Sequence, residues 1–242
     1  MRIPRFYQNT VITVDSLLTL DDDAVGHIAR VLRMRCGESI ILFNGDGNEY
    51  HAELVEVEKR RVNAKILSST QPNRTSPLSI DIGQSISRGE RMDYAIQKAT
   101  ELGMSSMTPL LSERCEVRLK ADRLAKKQQQ WQQLSISACE QSLRTTTPVI
   151  RAPSSLEEWV NNCQADLKLV LHHHCAQPLD TRLEPKSIAL LIGPEGGLSD
   201  AEVELATKAG FQSVVFGPRV LRTETAPVAA LSILQYLWGD LG

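Results

Sequence analysis

The sequence has no apolar run approaching the roughly 18–20 residues needed to cross a bilayer. Its opening residues, Met1-Arg2-Ile3-Pro4-Arg5, are basic, yet no apolar stretch of signal-peptide length follows them. The expectation is a soluble protein, without a membrane partner, that stays where it is made. A disulfide framework is also missing. The five cysteines, Cys36, Cys115, Cys139, Cys163 and Cys175, are odd in number, far apart and free of any Cys-x-x-Cys pair. That spacing excludes a disulfide scaffold and a zinc knuckle, and it suits a reducing cytoplasm where most of the thiols are small core residues. Nor is there an excess of positive charge. A formal net charge of -2 is not that of a nonspecific nucleic-acid binder, so RNA contact would need local basic patches. Internal repeats and low-complexity tracts are absent too. With 42% hydrophobic and 23% charged residues, the composition excludes disorder and collagen-like repetition. A chain of 242 residues holds one large domain or two smaller ones.

Basic patches are present. Arg30, Arg33 and Arg35 lie close together, Lys59-Arg60-Arg61 form a run, and Arg114, Arg118, Lys120 and Arg123 form a spaced series. The plainer reading of each is a solvated face. For Arg114 that reading is an ion pair with Glu113 or Glu116.

The pattern changes character near residue 75. Before it, Ser39–Phe43 and Tyr50–Val57 read as strands flanking the turn-rich Asn44-Gly45-Asp46-Gly47-Asn48, and Val62–Leu67 alternates with period two. One helix interrupts them, with Asp23 able to cap it and Ala24, Ile28, Val31 and Leu32 sharing a face. A small β-barrel with one helix fits. Residues 68–77 are polar, carry two prolines and read as a linker. This divides 1–72 from 73–242.

After the linker, strands and helices alternate. Leu78–Ile82, Met107–Leu111, Leu167–Leu171, Ile188–Ile192 and Val214–Phe216 read as strands. Helices carry Met92, Ala95, Ile96, Ala99 and Leu102 on one stripe, run through Trp131 to Leu143, begin at the Ser199/Glu202 capping box and stop at Gly210, and span Thr225 to Trp238. Gly103 reads as a C-terminal cap. Such alternation predicts an α/β domain, a mostly parallel sheet covered by helices.

Ligands of open α/β sheets sit at the carboxyl ends of strands, where two loops stand out. The first is Gly193-Pro194-Glu195-Gly196-Gly197-Leu198-Ser199, with three glycines and a proline in five residues. Glycine lets a backbone approach a ligand closely, and the helix that follows offers free N–H groups. The loop is neither a Walker A loop nor a Gly-x-Gly-x-x-Gly motif. A tight strand-to-helix turn is the plainer reading. The second loop runs from Phe216 to Pro227 and crowds Arg219, Arg222 and Glu224 beside Thr223 and Thr225. There a threonine could simply cap the helix while Glu224 complements its dipole.

Taken together, Gly193-Pro194-Glu195-Gly196-Gly197 and Leu221-Arg222-Thr223-Glu224-Thr225-Ala226 resemble the SPOUT superfamily, specifically the RsmE-type rRNA uridine N3-methyltransferases. The resemblance extends to Lys98–Gly103, Ser112–Cys115, Glu140-Gln141-Ser142 with Arg144, and His27–Arg33, in order along nearly the whole chain. It implies an N-terminal PUA-like RNA-binding barrel over 1–72 and a SPOUT domain with a trefoil knot over 73–242. Periodicity shows no knot, and general topology rules argue against one. Also implied are a cytoplasmic homodimer, S-adenosylmethionine as cofactor, and as substrate one uridine of 16S rRNA in the small ribosomal subunit, methylated at N3. Cofactor contacts would fall on Leu171, His172, Gly193, Pro194, Glu195, Gly196, Gly197, Leu198, Gly217, Val220, Leu221, Arg222, Thr223 and Thr225.

The chemistry of that reaction sets its own demands. Uridine N3 is protonated at neutral pH, so a base must take the proton or cationic donors must stabilise the anion. Arg222 is the candidate for the anion. Glu224 is a candidate base, although pairing with Arg222 or Arg219 would weaken it in that role. Arg30 and Arg33 are candidate phosphate contacts, and Arg114 a candidate RNA contact beside the cleft. On a strand, His172 and His174 would share a side and could chelate. Spacing suggests no third ligand and methyl transfer needs no metal, so none is expected. Two alternatives remain open: a SPOUT enzyme acting on ribose 2′-oxygen or on tRNA, and a noncatalytic RNA-binding assembly protein.

Overall fold

The computed structural model describes residues 3–117, 121–172 and 178–242. His174, Cys175, Arg118 and Lys120, all singled out above, lie outside the described residues. Two compact units are present, one of Met1–Thr75 with Cys139–Thr147, the other of Ser76–Ala138 with Pro148–Gly242.

The first unit contains β1 (Arg5–Tyr7), β2 (Leu17–Thr19), α1 (Asp22–Gly26), β3 (Ser39–Phe43), β4 (Glu49–Val57) and β5 (Val62–Thr70). These form a five-stranded sheet in the order β1-β3-β4-β5-β2. Alternation explains its inner face. Ile40, Leu42, Ala52, Leu54, Ala64 and Ile66 are buried together with Phe6 and Ile28. The 139–147 segment belongs here because Glu140 Oε1 accepts from the Tyr7 N–H at 3.0 Å and Arg5 Nη2 donates to the Arg144 carbonyl at 3.0 Å.

Three expectations for this unit change. β5 runs on through Ser68–Thr70, residues read above as linker, because β4 supplies ladder partners as far as Glu49 opposite Thr70. The helix is capped by Asp21, whose carboxylate accepts from the Ala24 N–H at 2.8 Å, rather than by Asp23. Past Gly26 it widens into a π-helical turn, His27–Leu32, closed by Arg33 at φ 55°. The i→i+5 pitch rotates Val31 and Leu32 off the face that buries Ala24 and Ile28, and leaves both exposed.

The second unit begins with β6 (Ser79–Ser85), α2 (Arg91–Glu101), β7 (Ser106–Leu111), α3 (Ala121–Ser142, whose end belongs to the first unit), β8 (Val149–Ile150) and β9 (Ser154–Ser155). It continues with α4 (Leu156–Asn162), β10 (Leu167–Leu171), β11 (Ser187–Ile192), α5 (Asp200–Lys208), β12 (Gln212–Val214) and α6 (Thr225–Trp238). The sheet order is β12-β10-β11-β6-β7-β8, with β9 beside β7, and every pairing is parallel. Central β11 buries Ile188 through Ile192 on both faces, as its unbroken apolar run requires. Each of its larger side chains contributes about 1.5–3 kcal/mol by leaving water. Met92, Ile96 and Ala99 of α2 pack into the same core as Leu231 and Leu234 of α6. β12 lies two residues earlier than the expected Val214–Phe216: it pairs with β10 only from Leu169 opposite Gln212 to Leu171 opposite Val214, where β10 ends.

Cys139 and Cys163 are buried, and burial pushes both thiols up to about 11. Cys36 is instead exposed. No helix among the described residues is long and apolar enough to cross a membrane.

Candidate active site

Parallel strands point their carboxyl ends one way, so the loops leaving β10, β11 and β12 emerge on one edge of the sheet. There the end of β10 and the loops leaving β11 and β12 line a cavity of about 710 Å³. Leu171, His172, Gly193 to Leu198, and Val220 to Glu224 line it, with Arg114 beside them. Of the candidate cofactor contacts, Gly217 and Thr225 do not line it. Arg30 and Arg33 are exposed residues of the first unit.

The glycine loop is shaped by its sequence. Ser199 caps α5 by accepting from the Glu202 N–H, while the Glu202 carboxylate accepts from the Ser199 N–H at 2.9 Å. Gly197 adopts φ 69°, a conformation costly for any residue with a Cβ. At Gly193 a Cβ would come within 3.0 Å of Leu198 Cγ and 3.1 Å of Leu198 N. The loop therefore folds tightly on itself beside the cavity, with no room for a side chain between Gly193 and Leu198. Val214, Phe216 and Leu221 supply an apolar wall. A small-molecule site combines an apolar wall with a few fixed polar groups in this way.

Arginines brace that loop. Arg114 Nη1 donates to the carbonyls of Gly196 (3.1 Å) and Leu198 (3.2 Å), whereas Glu116, one expected partner, pairs with Arg88. Glu195 accepts from the Arg88 N–H (3.0 Å) and from Arg91 Nη1 (2.8 Å). Burial pushes the Glu195 carboxyl up. The Arg88 and Arg91 hydrogen bonds outweigh it, leaving the group below the ordinary glutamate range.

Arg91 also reaches the second loop. Its Nε lies 4.0 Å from Glu224 Oε2, and Arg222 Nη1 lies 4.0 Å from Glu224 Oε1. Glu224 Oε2 is buried without a hydrogen-bond partner in the described structure. Arg222 and Glu224 differ in exposure, with 78% of the Arg222 side chain in solvent against 17% for Glu224. The pair thus sets an exposed cationic head beside a largely buried acceptor. Thr223, between them, is buried; its Oγ1 donates to the Gly193 carbonyl at 3.0 Å and accepts from Gln84 Nε2 at 3.0 Å.

Sequence reasoning passed over Arg91 and Gln84. Arg91 opens a helix whose apolar stripe drew the attention, and its two glutamate partners lie more than 100 residues away. Gln84 is a polar residue at the end of a buried strand, which is a signal in itself. His172 lies at the end of β10, where its N–H donates to the Val214 carbonyl at 3.3 Å.

Two family models match the chain: an RNA methyltransferase domain over residues 74–235 and an RNA methyltransferase PUA domain over residues 20–67. Among curated relatives, the ribosomal RNA small subunit methyltransferase E of Buchnera aphidicola subsp. Schizaphis graminum is 35% identical over 99% of this chain and 98% of its own. Its Bacillus subtilis counterpart is 34% identical, over 90% of this chain and 89% of its own. Among solved structures, the Neisseria gonorrhoeae ribosomal RNA small subunit methyltransferase E bound to S-adenosyl methionine superposes with a TM-score of 0.95. It is 42% identical, with both chains fully covered.

Proposed function

The chain belongs to the family of ribosomal RNA small subunit methyltransferase E, and from that membership we propose that it methylates N3 of a uridine in 16S rRNA at the cavity bounded by the glycine loop and Arg222–Glu224. It is an S-adenosylmethionine-dependent methyltransferase of small-subunit ribosomal RNA. The observation that carries the atomic reading is the convergence of the tightly turned glycine loop with an exposed guanidinium and a buried carboxylate oxygen that no hydrogen bond satisfies. A noncatalytic RNA-binding protein has no need of that combination.

When bound, S-adenosylmethionine supplies a methyl group already activated on a sulfonium. The protein's share is positioning and electrostatics. Gly193–Leu198, Leu171, His172 and the backbone of Val220–Thr223 would hold the donor, with Gly217 and Thr225 shaping the loop around it. Arg222 faces the negative charge that grows on the uracil oxygens as N3 loses its proton. Glu224 Oε2 lies close by as an acceptor for that proton. Arg30 and Arg33 take RNA phosphates, and Arg114 contacts RNA from the side of the cleft while bracing the glycine loop. The resemblance supports a knotted second domain, a homodimer and a cytoplasmic setting.

The test is nucleoside mass spectrometry on small-subunit particles from cells lacking the modification, incubated with the protein and S-adenosylmethionine. The expected product is 3-methyluridine. A methylated ribose or another base would move the substrate to a different SPOUT class. No methylation together with no donor binding would leave only RNA binding.

A further inference from the structure

We infer that Gln84 is a positioning residue for this reaction, holding the Thr223 hydroxyl oxygen and so fastening the second loop to the glycine loop. The inference rests on the reading of the cavity as the methyl-donor site.

Gln84 is fully buried near the end of β6. Strand register places it opposite Ile192, the last residue of β11 before the glycine loop leaves the sheet. Its side chain meets two groups, the Ser85 carbonyl at 3.3 Å and Thr223 Oγ1 at 3.0 Å. A backbone carbonyl only accepts, so the amide atom facing it is the nitrogen. The same nitrogen then donates its second proton to Thr223. A hydroxyl has a single proton, and Thr223 Oγ1, accepting from Gln84, sends that proton to the Gly193 carbonyl at 3.0 Å. Gln84 therefore holds the oxygen of the Thr223 hydroxyl while the Gly193 carbonyl takes its proton.

The sheet order gives this contact its leverage. β12 is an edge strand, with β10 and β11 between it and β6. The chain leaving Val214 passes the ends of those two strands before Thr223 reaches Gln84. The crossing segment has little burial of its own: residues 217–220 are all exposed, Val220 at 82%. Holding such a segment in one conformation opposes its chain entropy, and the Gln84–Thr223–Gly193 relay sits at the far end of the crossing. Arg222 and Glu224 flank that anchor on either side. The relay thus sets both the width of the donor cradle and the place of the two groups proposed to meet the uracil.

The test measures S-adenosylmethionine dissociation constants by calorimetry, alongside the melting temperature without donor, for Gln84→Leu, Thr223→Val and the double variant. Each single change is expected to weaken donor binding by about tenfold, the worth of a buried hydrogen bond. The double variant is expected to be about tenfold weaker as well, because either change breaks the same relay. Multiplying losses of about a hundredfold, or unchanged donor affinity in Gln84→Leu, would overturn the inference.

Gln84→Glu preserves shape and gives an independent reading. While protonated, the introduced carboxyl can still donate to Thr223. Once ionised it can only accept, which turns the hydroxyl away from Gly193. Burial raises the pKa of such a carboxyl. Donor affinity of this variant should fall as pH rises from about 5 to about 9, relative to the wild-type protein at each pH. A pH response parallel to wild type would overturn the inference. A wild-type protein that binds no S-adenosylmethionine would overturn the donor-site reading itself, which separates the two failures.

Discussion

Arg91 Nη1 donates to Glu195 Oε1 at 2.8 Å, joining the first residue of α2 to the tip of the glycine loop. The same guanidinium lies 4.0 Å from Glu224, so one cation serves both loops of the site. Arg91→Ala should raise the Michaelis constant for S-adenosylmethionine and also lower turnover, about tenfold each, since it takes one cationic partner from each of two carboxylates. Arg91→Lys should recover only part, because a point charge cannot serve two directions as a planar fork does. Steady-state kinetics with small-subunit particles checks both.

The Glu195 hydrogen bonds carry a pH signature. Its folded pKa lies below the ordinary glutamate value of about 4.3. The contribution of its partners is complete above that unfolded value and is lost as pH falls through the lower, folded one. Donor binding limited by this loop should hold steady from pH 8 to about pH 5 and weaken only in more acidic solution. In Glu195→Gln the acid-side loss should disappear, as calorimetric titration across pH would show.

Arg222→Ala should reduce turnover by about a hundredfold or more while leaving the donor dissociation constant within about threefold. The guanidinium is mostly solvent-exposed and packs little, so the melting temperature should not move. Unchanged turnover would remove Arg222 from the assignment.

At Gly193 the prediction is steric. Gly193→Ala places a methyl 3.0 Å from Leu198 Cγ and 3.1 Å from a backbone nitrogen that cannot swing aside. Overpacking of this kind costs about 1–3 kcal/mol, and here it falls on the loop proposed to hold the donor. Donor affinity should drop by about tenfold or more, measured against the melting temperature of the donor-free protein.

In the first unit, burial pushes the Glu140 carboxyl up, partly offset by its hydrogen bond from the Tyr7 N–H. A raised folded pKa means that stability falls as pH climbs from the unfolded value through the folded one. Glu140→Gln keeps an acceptor for Tyr7 and removes the buried charge. It should equal or exceed wild type in thermal stability at pH 7 and lose that advantage at pH 4.

The alternation of short apolar runs with amphipathic stripes was enough to read a parallel α/β domain, because parallel strands buried on both faces must be apolar throughout, as Ile188–Ile192 is. The glycine loop and the Arg222–Glu224 segment were legible for a related reason. Either alone has a plain structural use, a tight turn or a helix cap, but the two together at neighbouring strand ends are far more specific. Local rules failed where a distant partner decided the outcome. β4 pulled Ser68–Thr70 out of the expected linker, and the end of β10 stopped β12 at Val214. Asp21 took the cap expected of Asp23, and the π-helical turn moved Val31 and Leu32 into solvent. Residue types and their spacing along the chain thus determined the class of fold and singled out two loops that line one cavity. Only the tertiary structure decided that Arg91 spans Glu195 and Glu224, and that Gln84 meets Thr223 across 139 residues of chain. Hydrogen bonds and ion pairs act over a few ångströms, and only the folded sheet brings such distant residues that close.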